Sequence, residues 1–171
     1  LQALHGLPQP TIARVQGAAF GGAVGLVSCC DMAVAGDGAG FCLSEVKIGL
    51  IPATISPYVI RAMGERAARR YFTTAERFDA VTALRLGLVS EVVADEELDA
   101  GVESLIDTLL QNGPRAVRAA KRLVTDVAGR NIDGALIGET CERIARIRVS
   151  EEGQEGLGAF LNKRKPGWLE D

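Results

Sequence analysis

Three places along the chain hold residue types that could do chemistry. The first is Gly21-Gly22, which opens the apolar run FGGAVGLVSCCDMAVA over residues 20–35. Backbone N–H groups at a helix start lack intrahelical acceptors, and the helix dipole adds positive character there. Glycines let a ligand come close, so the pair suits a phosphate or the oxyanion of a thioester equally well. Tight helix–strand packing is the competing explanation. No G-K-[ST] follows and the run does not spell G-x-G-x-x-G, so neither standard nucleotide loop is present.

The second place is Glu45, which precedes VKIGLIP in the apolar stretch EVKIGLIPATISP, residues 45–57. A carboxyl group in such surroundings is either ion-paired or set up for proton transfer, because desolvation favours its neutral form. Lys47 is close in sequence and, in an extended segment, points to the same side. The third place is the tail GAFLNKRKPGW, residues 158–168, where Lys163, Arg164 and Lys165 lie between Phe160 and Trp168. This is either a solvated helix end with cations at its C-terminus or a site for phosphate and an aromatic base.

Gly25 is an oddity beside these. It interrupts an apolar helical run, where glycine costs about 0.5–1 kcal/mol relative to alanine.

Other chemistries are poorly served. His5 is the only histidine, which excludes an H-E-x-x-H metal site and leaves any Ser-His-Asp or Cys-His arrangement dependent on the leader. Cys29, Cys30, Cys42 and Cys141 contain no C-x-x-C pair and suggest reduced thiols in a cytoplasmic protein rather than zinc or disulfides. No metal is expected. The net charge of −3 gives no basic surplus for nucleic acid or an anionic membrane, and no apolar run reaches spanning length. LQALHGLPQP lacks signal-peptide organisation and an initiator Met, so the chain is expected to be a fragment.

The elements that must position these residues follow from periodicity. TIARVQ, residues 11–16, predicts a strand. Residues 21–30 predict a helix apolar nearly all round, ended by Asp31; MAVA (32–35) and FCLS (41–44) predict short strands around the turn GDGAG. Strand, buried helix, strand is the order of a parallel α/β unit. Residues 45–57 are expected to form an apolar loop that lines something. Asp79 is placed to cap a helix ending at Gly87, and LVSEVV (88–93) is a last strand candidate. Apolar stripes at Leu98/Val102/Leu105/Ile106/Leu109, Ala116/Ala120/Leu123/Val124/Val127 and Ile137/Cys141/Ile144/Ala145 predict amphipathic helices, each with one buried face. The chain therefore divides near residue 95 into a βα core and a helical layer that covers either its own core or a neighbouring subunit.

Taken together, PTIARVQGAAFGGAVGLVSCCDMAVA, GFCLSEVKIGLIP, FTTAERFDAVTALRLGLVSEVV and AFLNKRKPGW resemble, in order, the crotonase family of enoyl-CoA hydratases and isomerases. The resemblance implies an α/β fold. Residues 1–95 would be the C-terminal part of a ββα spiral core and 96–171 a helical oligomerisation region that builds a homotrimer or a dimer of trimers. It implies an acyl-CoA thioester substrate, with CoA arriving as part of the substrate and no separate cofactor. It also implies that further ββα turns precede this chain and supply the second oxyanion donor.

Residue by residue, Gly22 matches the oxyanion glycine, with Gly21 before it, and Glu45, after Ser44, matches the second of two catalytic glutamates. Pro52 and Ala53 match the loop that positions the attacking water. Phe160 and Lys163 match residues that contact the CoA nucleotide. Two departures stand out. Two-glutamate hydratases read G-G-G-x-E where this chain has Gly25 for the glutamate. They read I-P-G-x-G-G-T where it has Ile51-Pro52-Ala53-Thr54-Ile55-Ser56-Pro57. The run FCLSEVKIGLIPATISPYV, with Gly25, is similar to bacterial methylglutaconyl-CoA hydratases of leucine breakdown and their isoprenoid-pathway relatives. The expected reaction is hydration of a branched or carboxylated 2-enoyl-CoA, with Gly25 leaving room for a substrate carboxylate. The alternatives are a Δ3,Δ2-enoyl-CoA isomerase using Glu45 alone and a non-catalytic acyl-CoA-binding or assembly subunit.

Overall fold

A strand–strand–helix motif is laid down twice in the first hundred residues. A computed structural model describes residues 1–169. A single-turn helix α1 (Gln2–His5) leads into β1 (Ile12–Val15), β2 (Ala18–Phe20) and α2 (Gly22–Cys29). Next come β3 (Met32–Gly36), β4 (Gly40–Cys42), a 3-10 turn over Glu45–Ile48 and α3 (Ser56–Met63). Between β1 and β2 the chain turns a corner at Gly17, whose φ of +67° favours glycine.

The second motif lies on the first in parallel register. β1 pairs β3 from Ile12↔Met32 to Val15↔Ala35, and β2 pairs β4 from Ala18↔Gly40 to Phe20↔Cys42. This stacking is the ββα spiral of an α/β protein. It continues through α4 (Glu65–Thr74), β5 (Phe78–Asp79, antiparallel to β4), α5 (Ala80–Leu86) and β6 (Glu91–Val93, parallel to β3). Strands covered on both faces are apolar throughout, as in Ala33, Val34 and Ala35, all buried. Phe41 stacks on Phe78 at 5.5 Å and Tyr71 lies 4.3 Å from Phe78, closing the core beneath the second sheet.

Local signals placed several boundaries well. Asp79 caps α5 by accepting from Thr82 N at 2.8 Å, and Gly87 ends it at φ +80°. Asp31 is tied to Thr11, which donates to it through N (2.7 Å) and Oγ1 (2.9 Å). Three differences have physical reasons. β2 went unpredicted because three residues beyond a glycine corner carry too little periodicity. FCLS is strand only to Cys42, since Leu43 turns into the core and Ser44 starts the 3-10 turn. The stretch 45–57 is not wholly a loop: its first four residues form that turn, so Lys47 does not extend alongside Glu45, and Ser56-Pro57 begin α3, where proline is favoured.

The chain forms two compact units, Leu1–Leu105 and Ile106–Asp171. Helix α6 (Leu98–Leu110) carries the boundary. The second unit holds α7 (Pro114–Val127), α8 (Gly134–Arg148) and α9 (Glu151–Leu161). Its ties are polar. Glu152 accepts from the N–H groups of Arg115 (2.9 Å) and Ala116 (2.7 Å) at the start of α7, where a carboxylate suits the dipole. Arg143 joins Asp126 (2.7 Å) to Glu139. The expectation that each helix buries its apolar face is not met within the described residues: Val124 is 69% exposed and Ile144 63%. Among the described residues, no helix is long and apolar enough to cross a membrane.

Candidate active site

The parallel pairing of β2 with β4 decides where the chemistry gathers. Both strands end side by side at Phe20↔Cys42, so the chain leaves the sheet at one edge from both. In α/β sheets the carboxyl ends of parallel strands are where ligands bind. Gly21 follows one strand and donates its N–H to Cys42 O (2.8 Å), fixing the two exits to each other. At φ +53°, ψ −119°, Gly21 holds a backbone that other residues rarely adopt, and this swings the chain straight into α2.

Gly22 is the first residue of α2, so its N–H has no intrahelical acceptor. A Cβ at Gly22 would meet nothing within 4 Å, so the space beside its Cα is open. From the other strand, Glu45 reaches back over Gly21: a Cβ at Gly21 would lie 3.3 Å from Glu45 Oε1 and 4.0 Å from Ser44 Oγ. Glu45 Oε2 is buried without a hydrogen-bond partner. A buried carboxylate oxygen left unpartnered is costly and is found where a group is kept for chemistry.

Glu45 and Gly22 line a cleft of about 450 Å³ together with Leu26, Ile51, Pro52, Ala53, Thr54 and Ile55, and Leu1 at its margin. The cleft is largely aliphatic, with one carboxylate and one open helix start. Of the residues expected from the sequence, Gly22, Glu45, Pro52 and Ala53 line it, while Gly21 and Ser44 stand behind Glu45. Ala53 uses both of its backbone groups inside the loop. Its N–H donates to Ile51 O (2.8 Å), and its carbonyl accepts from Ser56 N (3.3 Å) and Ser56 Oγ (2.8 Å).

Gly25 requires a correction. It is buried within α2 and does not line the cleft, and the room beside it is filled. A Cβ at Gly25 would lie 2.7 Å from Ile55 Cβ, with Ile55 Cγ2 closer still. The glycine accommodates Ile55, so the volume directly beside its Cα is not the vacant place expected from the sequence. Leu26, Ile51, Thr54 and Ile55 were missed as individual lining residues. For Ile51, Thr54 and Ile55 the only signal was the apolar character of a segment otherwise rich in loop formers, and for Leu26 it was the apolar helical run that starts at Gly21.

Phe160 and Lys163 belong to the second unit and are not among the cleft residues; Phe160 is 80% exposed, and Lys163 has a φ of +53° just beyond α9. Arg164, in the middle of the basic run, is engaged by Glu155 through both guanidinium nitrogens (2.6 and 2.7 Å). That guanidinium, helped by Gly167 N–H, pulls the Glu155 carboxyl down to about 2. The thiols are unsuited to nucleophilic work at this site: Cys29 is buried, which pushes its pKa up, and Cys42 Sγ donates to Ala75 O. Among the described residues, no group of three His, Cys, Asp or Glu side chains could hold a metal ion.

Comparison with known proteins gives a consistent result. The family model described as enoyl-CoA hydratase/isomerase matches residues 1–171. Enoyl-CoA hydratase AKT6-1 of Alternaria alternata is 36% identical over 166 residues, covering 95% of this chain and 55% of the relative. Crotonyl-CoA hydratase of Syntrophomonas wolfei is 32% identical over 167 residues, covering 97% of this chain and 64% of the relative. The solved structure of an enoyl-CoA hydratase from Shewanella pealeana superposes with a TM-score of 0.93 at 56% identity, covering 98% of this chain and 62% of that one. The chain thus spans little more than half to under two thirds of the length of these proteins.

Proposed function

Because the chain belongs to the enoyl-CoA hydratase/isomerase family, the crotonases, we propose that the protein it represents adds water to a 2-enoyl-CoA thioester. The observation that carries this reading is the unpartnered Oε2 of Glu45 in an apolar cleft that also holds the open helix start at Gly22. Gly22 N–H donates to the thioester oxygen and stabilises the charge that builds there as the enolate forms, one donor of the pair that the family resemblance implies. Removing one such donor typically costs about 10²–10³-fold in rate. Glu45 takes a proton from water as its oxygen attacks the β-carbon, and a proton is delivered to the α-carbon. With glycine at position 25, Glu45 is the one carboxylate among the described residues that lines the cleft, and it serves both transfers by passing to the α-carbon the proton it took from water. Gly21 and Ser44 set its position. Pro52 and Ala53 shape the wall along which the water enters.

Phe160 and Lys163 are assigned to the CoA nucleotide, from the same or a neighbouring subunit. The exposed stripes of α7 and α8 are assigned to a homotrimer or dimer of trimers. Within the substrate class, the cleft favours a branched acyl group. Of the two features of a methylglutaconyl group, the methyl branch suits Leu26, Ile51 and Ile55, and among the described residues no Lys or Arg lines the cleft to meet its carboxylate.

A second reading draws on the same single carboxylate: Glu45 shuttling a proton between carbons of a 3-enoyl-CoA. Assay of the full-length protein separates them. Straight, branched and carboxylated 2-enoyl-CoAs are expected to yield 3-hydroxyacyl products. Isomerisation of a 3-enoyl-CoA in deuterated water, with no hydroxylated product, would replace hydration by isomerisation.

A further inference from the structure

We propose that Ile55 is a specificity-determining residue, interlocked with Gly25, that puts an aliphatic wall where a side chain at position 25 would otherwise stand. The inference deepens the hydratase reading above and rests on it for the identity of the substrate.

The interlock is steric. Ile55 is 5% exposed, yet it lines the cleft. It caps α3, and its carbonyl accepts from Tyr58 N and Val59 N at 3.1 Å each, which fixes its backbone. A Cβ at Gly25 would lie 2.7 Å from Ile55 Cβ and 3.7 Å from its Cα. Turning χ1 moves Cγ2 away but cannot move Cβ, so no rotamer of Ile55 admits a side chain at 25. The two departures from the hydratase motifs thus fall on residues that touch in this chain. The glutamate place holds Gly25, and the second glycine place of I-P-G-x-G-G-T holds Ile55.

The contact has a chemical consequence. A second carboxylate would bring charge and water to the cleft; Ile55, with Leu26 and Ile51, presents aliphatic carbon instead. An acyl group with a neutral methyl branch gains contact there, and one with a carboxylate at the same place loses its hydration without a partner. A single methyl in an apolar pocket discriminates by about 10–200-fold in kcat/KM.

The test uses the full-length protein with crotonyl-CoA, 3-methylcrotonyl-CoA and 3-methylglutaconyl-CoA, across Ile55→Val, Ile55→Gly, Gly25→Ala and the double variant Gly25→Ala/Ile55→Gly. The preference for the neutral branched substrate over both others should survive Ile55→Val and fall at least about tenfold in Ile55→Gly. Gly25→Ala should lower Tm and activity, and the double variant should recover Tm while keeping the relaxed preference. An unchanged preference in Ile55→Gly overturns the proposal, as does a double variant no more stable than Gly25→Ala. If the wild type turns over none of the three, the hydratase reading fails. Ile55 is then judged by the Tm cycle and by the ratios of the three dissociation constants, with the same outcomes deciding.

Discussion

Glu45 lies directly against the backbone of Gly21: a Cβ on Gly21 would come within 3.3 Å of Glu45 Oε1. One glycine thus meets two demands. It takes a φ of +53° so that β2 can pass straight into α2, and it leaves the carboxylate room to lie beside the helix start. Gly21→Ala meets both a strained backbone, costing about 1–3 kcal/mol, and a crowded Glu45. Urea unfolding should show that loss of stability, and kcat should fall more than the loss of folded protein explains.

Glu45→Gln separates chemistry from folding. General acid–base catalysis contributes about 10²–10⁴-fold, so kcat should drop by that order with KM little changed. Because Oε2 has no partner to lose, thermal unfolding should be unchanged or shifted upward. Full activity in Glu45→Gln would remove the residue from any catalytic role and favour a binding or assembly function.

The pair Glu155–Arg164 gives the second unit an acid-sensitive tie. The Glu155 carboxyl is depressed from its ordinary 4.5 to about 2, by Arg164 first and by Gly167 N–H next. A depressed folded-state value means the unfolded chain binds the proton more readily. The contribution is therefore present above about pH 4.5 and is lost as pH falls toward 2. Glu155→Gln should flatten stability against pH within that window and leave the neutral-to-alkaline range parallel to wild type, as followed by thermal melts between pH 2 and 7. Equal acid limbs in the two proteins would show that the ion pair does not contribute.

The apolar stripes of α7 and α8 call for a cover. Val124 and Ile144 are large aliphatic residues left mostly in water. Val124→Asp and Ile144→Asp in the full-length protein should shift sedimentation toward smaller species than wild type, as the proposed assembly requires. Unchanged assembly with a lowered Tm would mean that the stripes pack against the protein's own chain.

The roles expected of Gly22 and Glu45 came from the family resemblance; local rules only mark the places. Gly21-Gly22 at a strand–helix junction, Glu45 after a buried strand, and the apolar stretch 45–57 each stand out through residue type and neighbours. The caps at Asp79 and Gly87 do so as well, because a cap is a contact between residues three or four apart. β2 was less legible, since three residues carry almost no period.

Relationships between distant segments lay beyond the sequence. Nothing in the order of residues says that positions 21 and 45 meet; the parallel register Phe20↔Cys42 brings them together by releasing both strands at one edge. The meaning of Gly25 also reversed. From sequence it marks a missing glutamate and suggests vacant space, because a glycine is read by what it lacks. In the folded chain that space belongs to Ile55, thirty residues further on and anchored at the head of α3. Residue types and their spacing marked which groups could do chemistry, and the order of four longer stretches carried the resemblance to the family. Only packing, in which each volume is claimed by a named neighbour, decided that the cleft beside Glu45 is walled by aliphatic carbon.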